Sequence, residues 1–301
     1  MIKKFTNISN SPNKKRALIL GGGGILGAYS AGVTSTLCKN LGAQYFDTIY
    51  AVSVGVYAAT FYAANQPQTI ENTWRNYVSK NKLVNFLNPF KKREIMDLEY
   101  LNKIFQNQKS LLNLEDLFQT PTKLIYVLTN KKSMQPSYVS PTKENIFILM
   151  KASCAQPILH SPIKWKGEEY IDGGLSDPLP LKKALDDGHD EIVIISNRSK
   201  KFNPQNQYIK KLYPLIKMPF ISKIKFAKLI SNLKEKKYRL EHELEKMIMQ
   251  NQKIEIIRPK SKLKLKNIID TNHQRINQTI DMGIKDAQEF LKSQSEKKKS
   301  V

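Results

Sequence analysis

Four consecutive glycines after a short apolar run constrain the fold of this 301-residue chain more than any other feature. The run at residues 17–20 (ALIL) is typical of a strand buried on both faces, and the glycines at 21–24 follow it directly. Small and apolar residues then recur at helical spacing over residues 28–37. This order of strand, glycine loop and helix predicts an α/β protein whose loop N–H groups and helix N-terminus point at an anion.

Three kinds of anion site use such a loop. A dinucleotide site needs G-x-G-x-x-G and an acidic residue about twenty positions later, at the end of the next strand. Asp47 lies at about that distance, but it precedes an apolar segment instead of closing it. A nucleoside-triphosphate loop ends in Gly-Lys-Ser/Thr, whereas this one ends Ile25-Leu26-Gly27, which argues against that class. The third kind is an oxyanion hole, which needs N–H donors and a nearby nucleophile.

A serine follows the next predicted strand. Residues 45–52 are typical of a second buried strand, Ser53 follows in the pattern A-x-S-x-G, and small residues over 54–64 predict a helix. This order matches the sharp elbow that exposes a nucleophilic hydroxyl, although a helix N-cap serine has the same local pattern. Successive parallel strands end at one edge of a sheet, so we expect Ser53 close to the glycine loop.

An aspartate before two glycines is the third motif. A predicted strand ends at Asp172, and Gly173 and Gly174 allow a tight turn that suits a general base. An Asx-turn or a cap would use the same residues. The competing mechanism is a Ser-His-Asp triad completed by His189 or His160. His189 lies in a turn before a strand, so we expect it at the opposite end of the sheet.

In this order and spacing, the three motifs resemble those of the patatin-like phospholipases, the bacterial single-domain members in particular. The resemblance runs from about residue 17 to residue 196. It implies a three-layer α/β/α fold with a mostly parallel central sheet. It also implies a lipid acyl hydrolase that uses a Ser-Asp dyad without a catalytic histidine, metal or cofactor. By position, Ser53 matches the nucleophile, Asp172 the base, and Gly22, Gly23 and Gly24 the oxyanion loop.

Two positions depart from the family pattern. Leu26 stands where arginine or lysine is common, and Ala51 replaces the first glycine of the elbow. The Ala51 methyl group is tolerable if the local φ is negative and the neighbouring residue is small. Two other functions stay open beside the hydrolase. One is an acyltransferase that delivers the acyl group to an alcohol or thiol, and the other is a non-catalytic membrane-binding protein on this scaffold.

The formal net charge of +23 indicates an anionic partner. Lysines interleave with apolar residues in the segment 200–250, a pattern typical of helices that adsorb to an anionic bilayer. A solvated helix face or a lysine-rich coding bias would produce the same charge. The resemblance implies a phospholipid or lysophospholipid substrate. No nucleic acid is expected, since no recognition module is evident.

Composition along the chain predicts a single domain. Residues 1–15 are expected to form a flexible basic lead-in, residues 16–292 the domain, and residues 293–301 a disordered tail. The N-terminus lacks the apolar core of a secretory signal, and no run of eighteen apolar residues occurs. We therefore expect a cytoplasmic protein with peripheral membrane contact. Cys38 and Cys154 are expected to be buried thiols.

Overall fold

The computed structural model describes residues 14–78, 83–84, 88, 93–106, 111–157, 159–199, 246–247, 250 and 253–299. The strands in these residues are β1 (Arg16–Leu20), β2 (Thr48–Val52), β3 (Lys123–Asn130), β4 (Pro136–Val139), β5 (Ile163–Trp165), β6 (Glu168–Asp172), β7 (Glu191–Ile195) and β8 (Ile254–Ile257). They form one sheet in the order β5-β6-β3-β2-β1-β7-β8, with β4 paired to β3.

Helices flank this sheet. They are α1 (Gly27–Leu41), α2 (Gly55–Ala63), α3 (Pro67–Thr73), α4 (Leu98–Phe105), α5 (Leu114–Gln119), α6 (Ile146–Cys154), α7 (Leu181–Asp186) and α8 (His273–Lys299). A π-helical turn covers Trp74–Val78, and 3-10 turns cover Gly24–Leu26 and Gly173–Leu175. No helix among the described residues has the length and apolarity needed to cross a bilayer.

The sheet is mostly parallel and is covered on both faces. The five strands β3, β2, β1, β7 and β8 run parallel, whereas β4 and β6 are antiparallel to β3 and β5 is antiparallel to β6. Leu18 and Leu20 of β1 belong to the core shared with α1, α2 and α8, and Ile19 belongs to a second core shared with α7. A strand buried on both faces needs a continuous apolar sequence. The predicted three-layer α/β/α class is confirmed.

Helix α8 packs closely across α1. A Cβ added at Gly32 would lie 2.2 Å from the Ile280 carbonyl oxygen, and one added at Gly283 would lie 2.2 Å from the Tyr29 carbonyl oxygen. No side chain fits at these contacts, so the two glycines allow the backbones to approach. The Tyr29 hydroxyl also donates a hydrogen bond to Asp286, at 2.8 Å.

The C-terminal helix continues into the residues for which the sequence predicts a disordered tail. The expected disordered tail at 293–301 is wrong as far as Lys299, where α8 ends. Gln294 and Lys297 both donate to the Glu255 carboxylate of β8 at 2.7 Å, which ties this part of the helix to the sheet. Cys38 and Cys154 are buried free thiols, as predicted. A flexible lead-in is predicted over residues 1–15, of which residues 1–13 lie outside the described residues. Most of the basic segment 200–250 lies outside them as well.

Candidate active site

Ser53 occupies the turn between β2 and α2 in a strained conformation. Its φ is 54°, a left-handed value that costs a non-glycine residue roughly 1–3 kcal/mol. The Ser53 N–H donates to the Ser153 hydroxyl at 2.9 Å, and that hydroxyl donates to the Val127 carbonyl at 2.8 Å. The second serine therefore connects the elbow to α6 and to β3.

The Ser53 hydroxyl donates to a buried carboxylate. Ser53 Oγ lies 2.7 Å from Asp172 Oδ2, and Asp172 is 4% exposed. The Gly174 N–H donates to Asp172 Oδ1 at 2.8 Å, so both carboxylate oxygens have a donor. The backbone is held as well, because Asp172 N–H donates to the Ala155 carbonyl and Thr129 donates to the Asp172 carbonyl. These contacts leave Asp172 one orientation, directed at Ser53.

The antiparallel strand β6 places Asp172 beside Ser53. Asp172 is paired with Leu128 on β3, and Val52 of β2 is paired with Val127. The serine and the aspartate, 119 positions apart, thus meet on either side of β3. A Cβ added at Gly173 would lie 2.0 Å from the Val127 carbonyl oxygen, so only glycine allows the turn after Asp172 to pass so close to β3.

Burial sets the ionisation of the groups at this pair. Desolvation raises the pKa of Asp172 to about 6, although the hydrogen bonds from Ser53 and Gly174 oppose the shift. The carboxylate is therefore ionised at neutral pH and more basic than an ordinary aspartate. The buried Cys154 thiol also contacts Ser53, and desolvation raises its pKa well above the usual range. Cys154 therefore remains a neutral thiol and does not compete as a nucleophile.

The glycine loop passes beside Ser53. A Cβ added at Gly22 would lie 2.7 Å from Ser53 Cβ, so any side chain there would displace the serine. Gly23 and Gly24 have φ values of 146° and 58°, which favour glycine. Within the described part of the chain, the N–H groups of Gly22, Gly23 and Gly24 have no hydrogen-bond acceptor. The next donor, Ile25 N–H, is bound to the Ile268 carbonyl at 2.9 Å.

Sequence reasoning missed two polar residues that support the site. Ser153 lies in the helix α6, where the sequence pattern does not indicate that a serine contacts the site. Asn197 is 2% exposed and follows β7 at the same edge of the sheet as the glycine loop and Ser53. Its amide nitrogen donates to the carbonyls of Gly21 and Gly22 at 3.1 and 3.2 Å. A polar side chain just after a core strand is the signal that could have identified Asn197.

The histidines proposed for a triad lie elsewhere. His189 Nδ1 is hydrogen-bonded to the Ala184 carbonyl at 2.9 Å, and its ring packs edge-on against Tyr50. His189 precedes β7, at the end of the parallel sheet opposite Ser53, as expected. His160 pairs with the carbonyl of its neighbour Ser161. Among the described residues, no group of three or more histidine, cysteine, aspartate or glutamate side chains could bind a metal ion.

The two departures from the family pattern are packed without strain. Ala51 is fully buried in the regular part of β2, opposite Leu20 and Tyr126, and its φ is not positive. The backbone at this position therefore does not need a glycine, and the methyl group of Ala51 is tolerated. Leu26 is buried in the main core.

Fold and site together define a class: α/β proteins that hold a serine at a strand-to-helix elbow, against a buried carboxylate and beside a glycine loop. The family model of patatin-like phospholipases matches residues 18–185, which is more than half of the chain. The chain belongs to the patatin-like phospholipase family.

Individual relatives are distant. The uncharacterized protein YjjU of Escherichia coli is 27% identical over 201 residues, which cover 65% of this chain and 56% of the relative. The chain thus spans a little over half the length of that protein. Among solved structures, VipD from Legionella pneumophila is 14% identical with a TM-score of 0.46, over 92% of this chain and 67% of VipD. The type III effector ExoU is 12% identical with a TM-score of 0.33, over 91% of this chain and 53% of ExoU.

Proposed function

We propose that this protein is a serine acyl hydrolase of membrane lipids, of the phospholipase A or lysophospholipase type. The observation that carries the proposal is the 2.7 Å hydrogen bond from Ser53 Oγ to the buried Asp172 Oδ2, at an elbow that touches Gly22. The serine supplies the nucleophile, the aspartate the base, and the loop the donors. Membership of the patatin-like phospholipase family supports a lipid ester as the substrate.

The reaction has two steps. Ser53 Oγ attacks the ester carbonyl carbon while its proton passes to Asp172 Oδ2, and a tetrahedral oxyanion forms. The oxyanion collapses, the C–O bond to the alcohol breaks, and Asp172 returns the proton to the leaving alcohol. Water then attacks the acyl-enzyme with Asp172 again as base, which releases the fatty acid and restores Ser53.

The glycine loop supplies the electrostatic part of catalysis. The N–H groups of Gly22, Gly23 and Gly24 have no acceptor in the described part of the chain, so they are available to the oxyanion. One such donor contributes about 3 to 4 kcal/mol to transition-state stability in a comparable site. Fixed donors stabilise the oxyanion more than the neutral ester, which is why they lower the barrier.

The substrate is expected at an anionic lipid surface, because the chain carries a net charge of +23. The test measures fatty acid release from vesicles of zwitterionic phospholipid with and without an anionic phospholipid, and from lysophospholipid. Wild type, Ser53→Ala and Asp172→Asn are compared. Ser35→Ala is the matched control, since Ser35 is also buried and also donates to a carboxylate, Glu71, at 2.7 Å.

Wild type and Ser35→Ala are expected to release fatty acid. Ser53→Ala and Asp172→Asn are expected to fall by about 1000-fold or more. Equal release by wild type and Ser53→Ala would contradict the proposal. Labelling of Ser53 by a fluorophosphonate probe, together with slow hydrolysis that an added alcohol or thiol accelerates, would instead identify an acyltransferase.

A further inference from the structure

The side chain of Asn197 makes three hydrogen bonds in the interior. Its Nδ2 donates to the carbonyls of Gly21 and Gly22 at 3.1 and 3.2 Å, and its Oδ1 accepts the Ser30 N–H at 3.1 Å. The two acceptors and the one donor around the amide determine which end is the nitrogen. Asn197 therefore connects the glycine loop to the first turns of α1.

These bonds orient the peptide groups of the loop. In a trans peptide the C=O of one residue and the N–H of the next point in opposite directions. Asn197 holds the C=O of Gly21 and of Gly22, so the N–H groups of Gly22 and Gly23 are directed away from it. A Cβ added at Gly22 would meet Ser53, whereas one added at Gly23 would meet Asn197 at 3.5 Å. The loop thus runs between Asn197 and the nucleophile.

A second anchor limits movement at the other end of the loop. The Ile268 carbonyl accepts the Ile25 N–H at 2.9 Å, and a Cβ added at Gly24 would lie 2.4 Å from the Ile268 carbonyl oxygen. The turn that carries Ile268 is braced by Asp270, which accepts two hydrogen bonds from Arg275, both at 2.8 Å. With Ile25 held there, the remaining freedom of the loop lies in the Gly21 and Gly22 peptides.

We infer that Asn197 is the positioning residue of the oxyanion hole: by holding the Gly21 and Gly22 carbonyls, its amide directs the Gly22 and Gly23 N–H groups at the developing oxyanion. The inference rests on the proposed hydrolase function. The hydrogen bonds of the Asn197 side chain go to Gly21, Gly22 and Ser30 and not to Ser53 or Asp172, so its role is positioning and not proton transfer. Its loss should weaken stabilisation of the tetrahedral intermediate and leave the serine–aspartate pair intact.

The test compares Asn197→Ala with Asn102→Ala. Asn102 is equally buried at 2% exposure, donates to the Phe147 carbonyl at 2.8 Å and accepts from Tyr57, but it lies away from the loop. Four quantities are measured. They are kcat and KM for a soluble p-nitrophenyl ester, the inhibition constant of a trifluoromethyl ketone that forms a tetrahedral oxyanion on Ser53, and amide hydrogen exchange at residues 20–27. Thermal unfolding identifies a temperature at which all variants are folded.

Asn197→Ala is expected to lower kcat by about 30-fold, less than deletion of a donor in a comparable site. KM should change by less than about threefold, and the trifluoromethyl ketone should bind more weakly by the same factor as kcat/KM. Exchange at residues 20–27 should be faster. Asn102→Ala should lose stability and keep kcat. A loss of activity no greater than that of Asn102→Ala, or one confined to KM, would overturn the inference.

Asn197→Asp covers the case in which Asn197→Ala does not fold. It keeps the volume and the acceptor for Ser30 N–H but places an oxygen against two carbonyls, so it should lose at least as much kcat. Full activity in Asn197→Asp would also overturn the inference. If wild type and Ser53→Ala cleave the ester equally, the hydrolase proposal is contradicted, but the inference about Asn197 is not. Hydrogen exchange at residues 20–27 then decides whether Asn197 holds the loop, and unchanged exchange in Asn197→Ala overturns the inference in either case.

Discussion

The two halves of the candidate site are supported by different parts of the chain. Ser53 and Asp172 are held by residues between Val127 and Gly174, all within the region that the family model matches, 18–185. The glycine loop is held by Asn197 and Ile268, which both lie beyond that region. The serine–aspartate pair and the glycine loop can therefore be perturbed separately.

The largest expected effect comes where the two halves touch. Gly22→Ala would place a Cβ 2.7 Å from Ser53 Cβ, so the serine or the loop must move. We expect kcat to fall by about 100- to 1000-fold, since either movement separates Ser53 from the loop N–H groups proposed as oxyanion donors. Gly42→Ala is the control for backbone strain alone, because its φ of 84° disfavours alanine whereas its added Cβ meets nothing within 4 Å. Retention of wild-type kcat by Gly22→Ala would show that the contact between the two halves is unimportant.

The pH dependence of the activity is expected to come from the pair of Ser53 and Asp172 and not from the glycine loop. Burial raises the pKa of Asp172 to about 6, and the protonated carboxyl cannot accept the Ser53 proton. Activity should therefore be constant above that pH and fall about tenfold per pH unit below it, starting at a higher pH than an ordinary carboxyl would give. Initial rates on a soluble ester between about pH 4.5 and 8.5 measure this. A variant of Asn197 should lower the activity at every pH without moving the midpoint of the profile. A displaced midpoint would show that the glycine loop and the serine–aspartate pair are not independent.

A smaller effect is expected from the second serine. Ser153→Ala removes the acceptor of the Ser53 N–H and the donor to Val127, and leaving buried groups unpaired costs about 1–3 kcal/mol of unfolding free energy. A small displacement of Ser53 should lower kcat by about tenfold. Chemical denaturation and kcat are measured beside Ser35→Ala, which loses a part-buried hydrogen bond to Glu71 and none at the elbow. If both variants keep full kcat, the elbow does not depend on Ser153.

The smallest effect concerns Ala51. Because this residue has regular strand geometry, Ala51→Gly should leave kcat within about twofold and cost about 0.5–1 kcal/mol of unfolding free energy through backbone entropy. The same rate and denaturation measurements test it. A rise in kcat of tenfold or more would mean that the methyl group restrains Ser53, contrary to the packing described above.

The sequence predicted the elements that depend on local pattern. Apolar continuity identified β1 and β2, and the run of glycines and the Asp-Gly-Gly turn placed the candidate residues at strand ends. The observed pairing of Ser53 with Asp172 fits that expectation, while their catalytic roles stay a prediction. The antiparallel direction of β6 and the presence of β5 could not be read from the chain, because short strands with mixed burial lack a clear period.

The hydrogen bonds that support the site could not be predicted from the sequence for a different reason. Ser153 meets Ser53 across 100 positions, and Asn197 meets the glycine loop across about 175. Serine and asparagine are common residues, so their type alone says nothing about such distant partners. The extent of α8 was underestimated because lysine-rich sequence resembles a tail, and the bonds from Gln294 and Lys297 to Glu255 became visible only in three dimensions.

The close crossing of α1 and α8 also bears on the order of folding. The face of α1 around Gly32 is completed by Gly283, about 250 positions later in the chain, and the loop that precedes α1 depends on Ile268. Contacts of such long sequence separation form late, because loop closure must precede them. During synthesis the residues that bind Ser53 and Asp172 emerge before Asn197 and Ile268, which bind the glycine loop. A nascent chain would thus contain the serine–aspartate pair before it contains the residues that fix the glycine loop beside that pair.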